Sequence, residues 1–312
     1  MLLVASAVAF ATVVSAAQTA ALCAGKSPIL TTAGGDTAKR LEALIASGRA
    51  AFDKKDYDAA ADSFEKATKL DPKSADAFLW YGNALGQRAQ TAGSIKQAFL
   101  APRMKHAWER AVELDPCGIE ARASLIQFYT MAPGIMGGSM DKAKAEAQEI
   151  IAIDPYRGEI QLGNIAQREK DLPAAAAAYE KASKMPGDSI GGAWGSWVFT
   201  LEEQGSFAPA YAAVDARLAK DPGDLIALTL LGRASAMSGQ RLPEGLAALK
   251  KVAAEPPAKG FRISPAGVHY RMGQIMVFQA DTAGAMAEYQ AGLVLDPKNK
   301  NIKEAIEKLG KK

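Results

Sequence analysis

The chain has 312 residues, enough for one extended domain or two compact ones, with 49% apolar residues, 7% aromatic residues and a net charge of +3. So mild and dispersed a charge excludes a dedicated nucleic-acid face, which needs concentrated cations. Alanine is abundant and β-branched runs are scarce, a composition that favours helices meeting through small side chains.

In chain order, the first element is the uncharged run MLLVASAVAFATVVSAAQTAALCAG, which ends at Lys26. It reads as a secretory signal over residues 1–17, with Ser15-Ala16-Ala17 as a small-x-small cleavage site before Gln18. No Lys or Arg follows Met1, and the run is long enough to span a bilayer, so an uncleaved membrane anchor is the alternative. Both readings place the rest of the chain outside the cytoplasm, periplasmic or secreted. Residues 18–38, with TTAGGDT, read as a flexible leader. Cys23 and Cys117 could pair in an oxidising compartment or remain two thiols.

From residue 39 the pattern repeats. Endings KLDPKS (69–74), ELDPCG (113–118), AIDPYR (152–157), AKDPGD (219–224) and VLDPKN (294–299) each follow an amphipathic segment. Gly48 and Gly82 are 34 residues apart. The first unit sets Gly48, Tyr57, Ala60, Phe64, Ala67, Leu70 and Pro72 in order, and the second sets Phe78, Tyr81, Gly82, Trp108, Ala111 and Pro116. Later units keep Leu125, Tyr129, Ala143 and Ala147, then Gly163 and Tyr179, Trp197 and Val214, Gly232 and Leu249, Gly273 and Tyr289. Ile150, Arg217 and Gly292 depart from the pattern at small-residue positions.

Over roughly residues 39–297 this register resembles the tetratricopeptide-repeat family. The resemblance implies an all-α fold, a right-handed solenoid of about seven helix–turn–helix repeats. Small residues sit where the two helices of a pair cross, and Asp-Pro ends the second helix. Residues 298–312, with Ile302, Ala305, Ile306 and Leu309 at helical spacing, read as a capping helix with a polar outer face.

Two units are longer than the period, by insertions near 88–102 and 132–139. In the first, helix A is expected to run to Gln90, with a turn at Ala92-Gly93-Ser94 and a short helix, and Pro102 restarting helix B. In the second, Pro133 stops helix A, Gly134, Gly137 and Gly138 let the chain double back, and Ser139 restarts helix B. The series AWERAVELDP…FYTMAPGIMGGSMDKAKAEA, over roughly residues 82–155, is similar to a group of secreted or envelope-facing bacterial tetratricopeptide proteins whose third repeat carries an APG-x-x-GGS-type loop, which implies an extracytoplasmic scaffold with no reaction attached.

Catalytic and metal chemistry find little support. His106 and His269 fall in distant units without further ligands at metal spacing. AALCAGKS (20–27) fits a relaxed phosphate-loop pattern but lacks the preceding strand and following helix. Glu202 and Glu203 are adjacent and therefore diverge on a helix. No cofactor, metal or nucleic acid is expected, nor membrane insertion once the signal is removed.

The remaining candidate is the inner wall that helix A of each unit supplies. Its ninth position holds Arg49, Asn83, Gln127, Asn164, Phe199, Arg233 and Gln274, with Gln87 and Arg168 one turn on. Such amides and guanidinium groups can hydrogen-bond the backbone of an extended peptide. The lysine of the family's carboxylate clamp is absent from the fifth position, which holds Ile45, Leu79, Ala123, Ile160, Gly195, Thr229 and Tyr270. The expected function is a non-catalytic extracytoplasmic scaffold for a peptide or envelope protein partner. Small-ligand or anion binding at the inserted loops, through Gly137, Gly138 and Ser139, is the alternative. Self-association through the solenoid edges is a third possibility.

Overall fold

The structure is a computed structural model that describes residues 16–24, 35–188, 191–255 and 264–311. Expectations placed on residues 1–15, on the leader over 25–34 and on Pro256 lie outside these. All sixteen α-helices described, and one 3-10 turn, fall into two compact units, residues 1–169 and 170–312.

Unit 1 holds α1 (Ala16–Cys23), α2 (Gly35–Asp53), α3 (Tyr57–Leu70), α4 (Ala75–Gln90), α5 (Ser94–Leu114), α6 (Ile119–Met131), a 3-10 turn (Gly134–Met136), α7 (Met140–Ile153) and α8 (Pro155–Glu169). Helices pair as α2 with α3, α4 with α5 and α6 with α7, and α8 packs on α7. At the crossings a glycine of the first helix faces a large side chain of the second. A Cβ on Gly48 would lie 2.6 Å from the Phe64 ring, and one on Gly82 would lie 2.5 Å from Trp108 Nε1. These contacts fill a core that includes Phe64, Leu85, Trp108, Leu125 and Ile150.

The ends of the helices follow from side-chain chemistry. Asp56, Ser74 and Ser139 accept hydrogen bonds from the backbone of Ala59, Ala77 and Lys142, which satisfies donors that a helix start leaves open. After α3, α5 and α7, the carboxylates of Asp71, Asp115 and Asp154 accept from the N–H groups of Lys73, Cys117 and Arg157. Asp71 and Asp115 therefore close Asx-type turns, while Asp154 caps the start of α8, and in each case the following Pro keeps the preceding helix from continuing.

Two features differ from the sequence expectation. The leader is structured where it is described: α2 begins at Gly35, and α1 docks on α7. Buried Thr19 donates to Glu149 Oε2 at 2.5 Å, and Cys23 is disulfide-bonded to Cys117. Arg122 lies in the same cluster, donating to Glu146 Oε2 at 2.6 Å and to Pro116 O at 3.0 Å. Burial nevertheless holds the Glu146 carboxyl above its usual range, against the pull of Arg122.

The first insertion is not a separate short helix. α5 is one continuous helix of 21 residues with Pro102 inside it. Pro102 forgoes one backbone bond. Leu100 and Ala101 are buried in this stretch, and Gln97 Nε2 donates to Ala89 O and Ala92 O, both at 3.0 Å, tying it to the open carbonyls that end α4. Finally, Ile150 at its small-residue position is fully buried in the core.

Unit 2 holds α9 (Leu172–Ser183), α10 (Gly192–Glu203), α11 (Phe207–Leu218), α12 (Leu225–Ser238), α13 (Leu242–Ala254), α14 (Pro265–Phe278), α15 (Thr282–Leu295) and α16 (Lys300–Gly310). Gly232 against Leu249 and Gly273 against Tyr289 repeat the crossing contact, with Cβ approaches of 2.2 and 2.3 Å. Arg217 leaves its small-residue position to pair with Asp224 at 2.5 Å and to lie over Trp194. Gly292 keeps space for Ile302 of α16, the one buried side chain of that helix, and polar residues cover most of its outer face. The fourth predicted repeat is divided, with α8 in unit 1 and α9 in unit 2. Among the described residues no helix is long and apolar enough to cross a membrane.

Candidate functional site: the inner groove of unit 1

Helices α4, α5 and α6 and the 3-10 turn enclose a groove of about 670 Å³. Its floor and walls are apolar, with Phe52, Trp80, Trp108 and Phe128 and the methionines Met104, Met131 and Met136. Asn83, Gln87, Gln90, Gln97, Ser124 and Gln127 supply polar groups, and no lining residue is charged. Both insertions build the walls, through Gln97, Ala101 and Met104 on one side and Met131 to Met136 on the other.

A second depression of about 580 Å³ lies between α6 and α8 and shares Ser124 and Gln127 with the first. It is polar, lined by Thr130, Gln161, Asn164, Gln167 and Arg168 above Ile126 and Ile165. Four of the predicted residues, Gln87, Gln127, Asn164 and Arg168, thus line these two adjoining depressions.

Asn83 also lines the groove, but its side chain is partly committed. Trp108 Nε1 donates to Asn83 Oδ1 at 2.9 Å, with Ser124 Oγ 3.3 Å from the same oxygen. The amide NH2 is the end left to offer a ligand. Arg49 pairs with Asp76 at 2.9 Å and lies over the Trp80 ring, so it braces the groove wall.

In unit 2 the predicted residues do other work. Arg233 is only 8% exposed and ion-pairs with both Glu202 and Glu203 while stacking on Phe199. The adjacent carboxylates, expected to diverge, therefore converge on one guanidinium group, because they end α10 and their side chains are long. Burial pushes the Glu202 carboxyl up to about 7, although Arg233 opposes the rise. Gln274 accepts from Arg271 at 2.9 Å and donates to the Tyr270 hydroxyl at 3.1 Å. His269 Nδ1 lies 2.7 Å from Glu288 Oε2. Among the described residues no group of three or more His, Cys, Asp or Glu side chains is placed to hold a metal ion.

The inserted turn does not present a free row of amides. The N–H groups of Met136 and Gly138 donate to Pro133 O, that of Gly137 to Gly134 O, and that of Ser139 to Tyr129 O. The donors an anion would need are consumed in holding the turn itself.

A family model for the TPR repeat matches residues 48–88. Among solved structures, a tetratricopeptide repeat protein from Parabacteroides merdae superposes with a TM-score of 0.57 at 15% identity, over 87% of this chain and 99% of that chain. The fold is that of the tetratricopeptide-repeat proteins. Pseudomonas aeruginosa PilF gives a TM-score of 0.53 at 13% identity, over 88% of this chain and all of its own, 100%. No curated protein matches the chain.

Sequence reasoning found the amide-bearing positions but missed the apolar groove between them. The signal was available in the insertions, where Met104, Met131 and Met136 crowd beside Gln87, Gln90 and Gln97. Methionine and glutamine at such density, around glycine and proline, mark an adaptable surface.

Proposed function

We propose that the protein is a non-catalytic, extracytoplasmic scaffold whose unit 1 binds an extended, uncharged peptide segment along its inner face. The observation that carries this reading is the uncharged groove itself, in which aromatic and methionine side chains alternate with carboxamides. Asn and Gln donate and accept at once, so they can pair with peptide N–H and C=O groups without reading side chains. The apolar floor takes side chains of the peptide, and methionines adapt to their shape. The absence of charge from the lining disfavours ionised side chains in that floor, which would lose hydration without a partner.

The Cys23–Cys117 disulfide supports an oxidising compartment, as do the apolar N-terminal run and the resemblance of roughly residues 82–155 to envelope-facing proteins. Binding to a peptide library, measured by fluorescence anisotropy, tests the reading. Gln127→Ala, at an exposed position, should weaken selected peptides about tenfold or more if it is a central contact. Equal affinity for the wild type, Gln127→Ala and a groove-filling variant would remove the groove from the function.

A further inference from the structure

The groove of unit 1 and the polar depression beside it share Ser124 and Gln127, so a chain leaving one enters the other. The groove has no charged lining, and the depression has one charged residue, Arg168. Its side chain belongs to a stripe on α8. Gln161, Asn164 and Arg168 are spaced three and four residues apart, and all three line the depression.

The other charges near Arg168 are committed. Of the charged residues on α6 and α8, Glu120 and Arg157 pair with each other at 3.1 Å near the starts of the two helices. Arg122 pairs with Glu146 at 2.6 Å, Glu169 with Lys144 at 2.8 Å, and Glu159 is buried with a partner of its own. From Gln127 to Met140 there is no charged residue, and at the start of α7 Asp141 and Lys142 line neither depression. Arg168 is exposed and makes no hydrogen bond or ion pair with the described residues. In the last turn of α8 the open carbonyls favour a cation, but they leave the guanidinium fork unused.

We propose that the peptide bound by unit 1 carries an acidic side chain, just beyond its uncharged stretch, that pairs with Arg168. This rests on the peptide reading above and adds to it a sign and a spacing. An aspartate or glutamate over the apolar floor would lose hydration, whereas the polar depression leaves it in contact with water and with a two-pronged donor. Neighbouring helices pack about 8–10 Å apart, so the step from the groove on one side of α6 to the depression on the other covers about three residues of extended chain. Exposed ion pairs are weak, so this one sets preference and orientation rather than supplying most of the affinity.

The test uses a peptide selected from an uncharged library, acetylated and amidated so that its ends carry no charge. It is extended by three residues ending in Glu, Gln or Lys, at either end in turn. Fluorescence anisotropy with the full chain should show the Glu form binding about three- to fivefold tighter than the Gln form at one end only, with the gain shrinking at high salt. The Lys form should bind more weakly than the Gln form. In Arg168→Glu the order should invert, the Lys form becoming tighter than the Glu form, which a merely structural arginine would not produce. Arg168→Lys should keep the wild-type order. Equal binding of the Glu and Gln forms at both ends, or an order that Arg168→Glu leaves unchanged, would overturn the proposal while leaving peptide recognition intact. Failure of every uncharged peptide to bind, or binding that persists in a groove-filling variant, would remove the peptide reading and this proposal with it.

Discussion

Single residues decide whether the groove is open, and two glycines of α4 separate its stability from its use. A Cβ on Gly82 would lie 2.5 Å from Trp108 Nε1, so Gly82→Ala must push apart α4 and α5. The loss should be about 1–3 kcal/mol in urea unfolding, in the range of overpacked cores. Gly86 lines the groove one turn on, where a Cβ would meet Trp108 no closer than 3.5 Å. Gly86→Leu should therefore fill the groove and abolish peptide binding while leaving thermal stability unchanged or higher, since leucine favours helix over glycine. In unit 2, Glu202 makes a pH prediction. Its folded pKa is raised to about 7 from the ordinary 4.5, so the folded state holds its proton more tightly than the unfolded state. The stability this gives is full below the unfolded pKa and is lost as pH rises from about 4.5 through about 7. Unit 2 should melt progressively lower across that window, and Glu202→Gln should flatten the trend in scanning calorimetry.

The elements most legible in the sequence were the plain ones. Gly48 opposite Phe64, the Asp-Pro turns and the serine and aspartate caps state locally what the packing then uses, so pairs such as α2 with α3 follow directly from residue type. The insertions were legible only in part. Ser139 was readable as the cap of α7, but the continuity of α5 through Pro102 was not. That continuity depends on burial of Leu100 and Ala101 and on the grip of Gln97 on the end of α4, which are tertiary contacts. For the same reason the ninth helical position could not be read at Arg233, whose neighbours Glu202 and Glu203 draw it inward, while Gln127 and Asn164 line depressions of unit 1. The second insertion carries its own prediction. A Cβ on Gly138 would lie 1.8 Å from Ala132 O, so Gly138→Ala cannot keep the turn as it is. Hydrogen exchange should accelerate over residues 132–140, where the amides of Met136 to Ser139 are tied, and peptide affinity should fall because Met136 and Pro133 leave the groove wall.

On the scale of the whole molecule, the disulfide closes a sequence separation of 94 residues within unit 1, joining α1 to the turn before α6. Closing a long loop typically adds about 2–4 kcal/mol, and here it also fastens Thr19 over the Arg122, Glu146 and Glu149 cluster. Reduction should therefore lower the unfolding temperature of unit 1 by several degrees while leaving exchange protection in unit 2 unchanged. The central claim remains that peptide recognition resides on the inner face of unit 1. Hydrogen exchange of the full chain, with and without a saturating peptide chosen from the library, tests it most directly. The predicted result is protection concentrated on the groove elements, residues 80–90 of α4 and 124–136 of α6 and the 3-10 turn, and lost in Gly86→Leu. Protection confined to unit 2, or a footprint that persists when Gly86→Leu fills the groove, would contradict it.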